Sequence, residues 1–193
     1  MTTAMRSRNY LLTLLFVAAA GMYGCDALED ATTVNVEIPD YEYSFSCQTT
    51  TPATTSELRD VAYTNFSRRI TVNTSDPKFG DLEEYLDEDI SMRIDNVQLI
   101  ATLLGTSFTI SNLEVNAYDS NGTTKVAGFT ETSITSGSIY SAAKMKTFLQ
   151  TALNRMLSTG TIILEVKGQT NLPSGTTFLI TMPVESTARV ELL

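Results

Sequence analysis

Val34-Asn35-Val36-Glu37-Ile38-Pro39-Asp40-Tyr41-Glu42-Tyr43-Ser44-Phe45-Ser46-Cys47 is the stretch that decides the fold. Apolar side chains occupy alternate positions at 34, 36 and 38, and again at 41, 43, 45 and 47. In an extended chain successive side chains point to opposite faces, so a period of two predicts two half-buried strand segments. Pro39-Asp40 separates them and breaks the phase. The same pattern recurs downstream. Phe66–Val72 reads as a strand, and Ile90, Met92 and Ile94 alternate ahead of Asp95-Asn96, after which Val97, Leu99 and Ala101 resume. A bulge at Asp95-Asn96 would switch which face is buried. Phe108–Tyr118 leads into Asp119-Ser120-Asn121-Gly122, and Asn-Gly between β runs predicts an antiparallel return over Lys125–Phe129. Thr161–Val166, Thr176–Met182 and the run Ala188, Val190, Leu192 complete the strands.

One segment has another period. Met145, Phe148, Leu149, Ala152, Leu153, Met156 and Leu157 recur at three-and-four spacing, the stripe of an amphipathic helix. Ser138 or Ser141 is placed to cap its start, and Gly160 stands just past its end. Ser75-Asp76-Pro77 predicts the start of a shorter helix or turn over Phe79–Asp87. Gln48–Ser56 and Glu131–Ser138 read as polar loops. Many short strands and one helix predict a mainly β fold: a single two-layer antiparallel β-sandwich, jelly-roll or immunoglobulin-like, with one packed amphipathic helix near 141–158.

The chain of 193 residues carries 13 basic and 22 acidic side chains, a net charge of −9. The imbalance sits in its first half: residues 25–89 hold fifteen acids and four bases, and residues 90–193 hold seven of each. An acidic protein without a basic stripe is a poor ligand for nucleic acid, and its body is repelled by anionic lipid. There is no histidine and no tryptophan. That removes Ser-His-Asp and Cys-His catalysis and the usual zinc sites. No catalytic residue, metal ligand set or cofactor is expected, and the chain is not read as an enzyme.

The N-terminal region has its own layout. Arg6 and Arg8 precede the apolar run Leu11–Ala20, which is far shorter than the roughly 20 residues a membrane span needs. Gly24-Cys25 and the acids Asp26, Glu29 and Asp30 follow. This order resembles the signal of bacterial lipoproteins, whose lipobox ends in a cysteine that accepts a diacylglycerol thioether. Met22 and Tyr23 stand where that signal usually has a leucine and a small residue. The acids after Cys25 resemble the export signals of surface lipoproteins in the Bacteroidetes group, and the texture of the whole chain is similar to small lipoproteins of that group. The resemblance implies a signal peptide over 1–24, a lipidated tether over 25–33, a domain over 34–193, and Cys25 as the acyl acceptor. It implies a place in the cell envelope, at the outer membrane, with the membrane contacted through the lipid. The competing reading is cleavage after Ala20, since Ala18-Ala19-Ala20 fits the small-x-small rule. Cys25 would then be free to pair with Cys47 in an oxidising compartment.

Three further constellations invite chemistry. Asp81-Leu82-Glu83-Glu84-Tyr85-Leu86-Asp87-Glu88-Asp89 holds six carboxylates in nine positions, without the spacing or turn glycine of a calcium loop. It reads as a solvated helix face, with Leu82, Tyr85 and Leu86 turned inward. Tyr41, Tyr43 and Phe45 share one strand face, which suits either core packing or the stacking of sugar rings. Lys144, Lys146 and Arg155 on the helix invite a membrane-surface reading, but the continuous apolar stripe favours docking onto a sheet. The function expected is a lipid-anchored cell-envelope protein with a non-catalytic binding or structural role, working with envelope protein partners in a surface assembly. A carrier of a lipid or other apolar ligand between sheet and helix is the second reading. A carbohydrate-binding surface module using Tyr41, Tyr43 and Phe45 is the third.

Overall fold

The computed structural model describes residues 33–52 and 63–192. The strands are β1 (Thr33–Pro52), β2 (Thr64–Asn73), β3 (Asp89–Val97), β4 (Leu99–Thr102), β5 (Thr109–Asp119), β6 (Lys125–Thr135), β7 (Ile139–Tyr140), β8 (Thr161–Thr170) and β9 (Thr177–Glu191). A 3-10 helix, Pro77–Tyr85, precedes β3, and the α-helix α1, Ala143–Thr159, lies between β7 and β8.

The strands form one continuous antiparallel sheet in the order β6-β5-β8-β2-β1-β9-β4-β7, with β3 also paired to β9. β3 and β4 follow one another along the same edge of β9, so the sheet has eight strand positions. This corrects the expected two-layer sandwich. Hydrogen bonding does not stop between two sheets but runs on through the β1–β2 pairs Thr49↔Phe66 and Pro52↔Thr64. The sheet curls into a nearly closed barrel. Its two ends are drawn together by one turn: the Ser136 N–H donates to the carbonyl of Phe108, just before β5 (2.9 Å), and the Gly137 N–H to that of Ala101 in β4 (2.8 Å). Alternation marks the buried face of each strand but not its neighbours, and a sandwich and a curled sheet share that signal.

Two of the bulges in the sheet face one another across β9. On β1, Ile38 pairs with Ser186 and Tyr41 with Val184, so Pro39-Asp40 faces a single residue of β9. The extra residue restores the phase, and Ile38, Tyr43, Phe45 and Cys47 are all buried. The segments on either side of Pro39-Asp40 are therefore one strand. On β3, Ile94 pairs with Ser186 and Asn96 with Glu185, leaving Asp95 as the bulged residue, as Asp95-Asn96 led one to expect. Both bulges abut the same three residues of β9, 184–186. A bulge bends its strand and increases the local twist, so a facing pair folds the sheet sharply at this level. Pro183 sits one residue earlier, opposite the break between β3 and β4, where a missing ladder donor is tolerated.

Helix α1 packs on β3, β6, β5 and β8, across the gap between the β3 and β6 edges. Met145, Phe148, Leu149, Ala152, Leu153 and Met156 are buried against the sheet. Its polar side chains satisfy the open edges. The Met92 N–H of β3 donates to Asn154 Oδ1 (2.6 Å), Lys146 Nζ donates to the Asp95 carbonyl, and Lys144 Nζ donates to the Thr130 carbonyl of β6 (2.6 Å). Ser141 Oγ donates to the Val97 carbonyl (3.0 Å). With that hydroxyl engaged on a strand, the helix cap is Ala142 and makes no side-chain cap bond, contrary to the expectation for Ser138 or Ser141. Gly160 ends the helix as expected, in the left-handed conformation (φ 78°) with its N–H on the Met156 carbonyl. β6 continues to Thr135, through residues expected to form a loop. Only Phe129 and Ile134 of β6 are buried, too sparse an alternation to read. No helix among the described residues is long and apolar enough to cross a membrane.

Leu153 is fully buried where helix and sheet meet. Leu153→Ala should lower unfolding stability by about 2–5 kcal/mol, through lost transfer energy and the cavity left behind. Exposed Gln150→Ala should stay within about 0.5 kcal/mol of wild type. Urea midpoints of the two variants check both values.

Candidate functional site

The 3-10 helix packs against β1 and brings a second set of rings to the tyrosine ladder. Tyr41 and Tyr43 meet edge to face with ring centres 5.4 Å apart, and Tyr41 meets Phe79 in the same manner at 5.7 Å. Lys78 lays its ammonium over all three: 4.6 Å from the centre of Tyr43, 5.5 Å from Tyr41 and 5.5 Å from Phe79. Asp76 Oδ2 lies 3.5 Å from the same nitrogen. The local chain explains the placement. Pro77 occupies the first helical turn, and the Asn73 N–H donates to Asp76 Oδ2 (3.2 Å), which fixes the approach to Lys78 and Phe79.

Burial pushes the Tyr43 phenol well above its ordinary value and raises that of Tyr41, so both rings stay neutral. The Tyr41 hydroxyl lies 3.3 Å from Ser186 Oγ, the buried polar residue of β9 between the two bulges. The Tyr43 hydroxyl is buried and has no hydrogen-bond partner among the described residues. Of the three ring residues suggested by the sequence, Tyr41 and Tyr43 belong to this cluster, whereas Phe45 lies deeper in the core. Tyr43 is 2% exposed and Phe45 0%, so their rings stack on protein. Lys78 and Phe79 were not legible as members. Their only signal is the Asp76-Pro77 helix start, which places them on a helix but not against β1.

The acidic stretch departs from expectation in its face. Leu82 is buried, Tyr85 is half-buried and Leu86 is 47% exposed. A 3-10 helix has three residues per turn, so Phe79, Leu82 and Tyr85 align, and the α-helical partner Leu86 falls off the stripe. Asp81, Glu83 and Glu84 line an open depression of about 560 Å³ with Val36, Gly80 and Tyr85. Among the described residues no group of three or more acidic, histidine or cysteine side chains is arranged to hold a metal ion.

Several other charged groups are paired. Glu131 Oε2 accepts from Lys144 Nζ (2.8 Å) and from the Tyr140 hydroxyl, tying β6 to β7 and α1. Lys144 first, and Tyr140 second, hold the Glu131 carboxyl down at about 2. On the outer sheet face, Glu165 accepts from Arg69 Nε (2.7 Å) and the Tyr118 hydroxyl (3.0 Å). Burial works to raise its pKa, but these partners prevail and lower it. Asn116 neighbours it across β5–β8, and Gly128 faces Asn116 from β6. A Cβ at Gly128 would stand 2.6 Å from Asn116 Oδ1 and from Lys125 Cε, so any larger residue there requires those side chains to shift. The helix cations are likewise engaged, Lys144 and Lys146 as above and Arg155 with Asp119 at 3.0 Å. The Asp119–Gly122 segment is a hairpin turn, as read from the sequence. Asn121 Oδ1 accepts the Thr123 and Thr124 N–H groups (2.8 and 3.1 Å), and Gly122 takes φ 70°.

Cys47 is fully buried, and burial pushes its thiol up to about 12. Cys25 lies outside the described residues. No protein-family model matches the chain, and no curated protein matches its sequence.

A carboxylate held below its ordinary value of 4.5 contributes stability above that pH, and the contribution is lost as pH falls toward about 2. Glu131→Gln should therefore be less stable than wild type at neutral pH. The gap should narrow between pH 4.5 and 2, as urea midpoints across that range would record.

Proposed function

We propose that this chain is a lipid-anchored cell-envelope protein of the outer membrane, whose barrel serves as a non-catalytic binding or structural module in a surface assembly. The observation that carries this reading is Gly24-Cys25 at the end of the Arg6/Arg8 and Leu11–Ala20 signal layout, a few residues before β1 opens at Thr33. Cys47 supports it from the other side. A disulfide with Cys25 would have to reach a fully buried thiol on the inner face of β1. Two acyl chains, each gaining ~0.8 kcal/mol per buried methylene, suffice for stable anchoring, while the acidic body is repelled by anionic lipid.

The barrel interior is occupied by its own side chains. Phe45, Met145, Leu153, Met156 and Ile180 are all fully buried. That favours a module acting through its surface over one carrying an apolar ligand between sheet and helix. The paired charges favour binding over catalysis, since Lys144 and Arg155 of α1 and Glu165 of β8 are each held by an opposite partner.

Intact mass of the protein from membrane and soluble fractions, with and without reductant, tests the anchor. A chain starting at Cys25 and carrying acyl groups, confined to membranes, is expected. A soluble chain starting near Gly21 that gains two protons on reduction would overturn it.

A further inference from the structure

We propose that Tyr41, Tyr43 and Phe79 form an aromatic cage for an organic ammonium ion, held closed by Lys78 as an internal occupant. The external ligand belongs to the class of methylated ammonium groups, such as a trimethylammonium head group. This inference does not depend on how the chain is anchored.

The geometry supplies the elements such a ligand needs. The rings stand at 76° and 68° to one another, so they form walls rather than a stack. All three centres lie 4.6–5.5 Å from the Lys78 nitrogen, within the range at which a cation is attracted by a ring face. One carboxylate, Asp76, balances the charge at 3.5 Å. The cage offers little else. Among the described residues Lys78 Nζ makes no hydrogen bond, although a lysine ammonium has three N–H groups and is strongly hydrated. Ring faces without acceptors suit an ammonium with no N–H to satisfy. Tyr43 and Phe79 are 2% and 1% exposed and the Lys78 side chain 23%, so a ligand reaches the rings only by taking the place of the Lys78 ammonium along its stem. Asp81, Glu83 and Glu84 follow Lys78 on the same helix and line a separate open depression, and their charge raises the concentration of cations over this part of the surface.

The sequence left the aromatic ladder between core packing and the stacking of a sugar ring. Its pairing with the half-buried Lys78 ammonium changes the ligand class, because the rings already hold a cation over their faces and Tyr43 presents no exposed flat face on which a sugar ring could stack.

The test titrates choline, and its neutral isostere 3,3-dimethylbutan-1-ol, into full-length wild type and Lys78→Ala, followed by proton NMR. The expected result is saturable binding of choline to Lys78→Ala, at least tenfold tighter than to wild type and tenfold tighter than the alcohol. A folded Lys78→Ala that does not bind choline, or binds both compounds equally, would overturn the cage. Wild type gives a readout that needs no variant. The Lys78 ε-methylene protons should be shifted upfield by the three rings and should move toward their free-lysine position as choline saturates. Unshifted protons, or shifted ones that choline leaves in place, would equally sink the proposal.

Discussion

A sheet that curls without closing leaves two edges, and each edge presents backbone N–H and C=O groups with no strand to bond. In this barrel the edges are β6 at one end and β3 with the short β7 at the other, and α1 lies across β3 and β6. Buried or half-buried backbone groups left unmet cost free energy comparable to a lost hydrogen bond, and exposed ones invite pairing with another chain. The helix answers both problems. Its apolar stripe fills the interior, while Asn154, Lys146 and Lys144 reach outward to the Met92 amide and the Asp95 and Thr130 carbonyls. The Glu131–Tyr140–Lys144 clasp then fixes the helix start to both β6 and β7. Loss of the helix would thus expose core and edges together.

The sheet is bent sharply where β9 passes between β1 and β3. Two neighbours bulge against its residues 184–186, and Pro183 interrupts the ladder beside them. Ser186, the one serine in the inner row of β9, sits at that bend and meets the Tyr41 hydroxyl. The site described for Lys78 therefore lies where the sheet turns, with rings from β1 and a cation from the 3-10 helix. Bend and cage share Tyr41, so the bulge at Pro39-Asp40 that restores its inward phase also places it in the cage.

Much of this was legible one element at a time. The period-two runs located strands, the three-and-four spacing located α1, and the phase change after Ile94 located a bulge that is present at Asp95. What pairs with what was not legible. Alternation at Val34–Cys47 is the same for a strand in a sandwich and for a strand in a curled sheet, and the link between the halves rests on a few pairs near Thr49. The period of the acidic helix was misread because 3-10 and α geometries share Leu82 and differ at Leu86. Ser141 illustrates a third limit. A serine before a helix predicts a cap, yet its hydroxyl serves the Val97 carbonyl, a long-range partner invisible to local rules. The candidate site was half legible. Tyr41 and Tyr43 stood out by periodicity, whereas Lys78 and Phe79 join them only through tertiary packing.

The account turns on α1 sealing the β3 edge, and the Met92 amide reports that seal directly because its acceptor is a helix side chain, Asn154 Oδ1, at 2.6 Å. Hydrogen exchange of this single amide, in wild type and in Asn154→Ala, is the deciding measurement. The seal predicts slow exchange in wild type and a large acceleration in the variant, with amides in the β1–β9 ladder unchanged. A Met92 amide that exchanges in wild type as fast as those of the Asn121–Thr124 turn would contradict it.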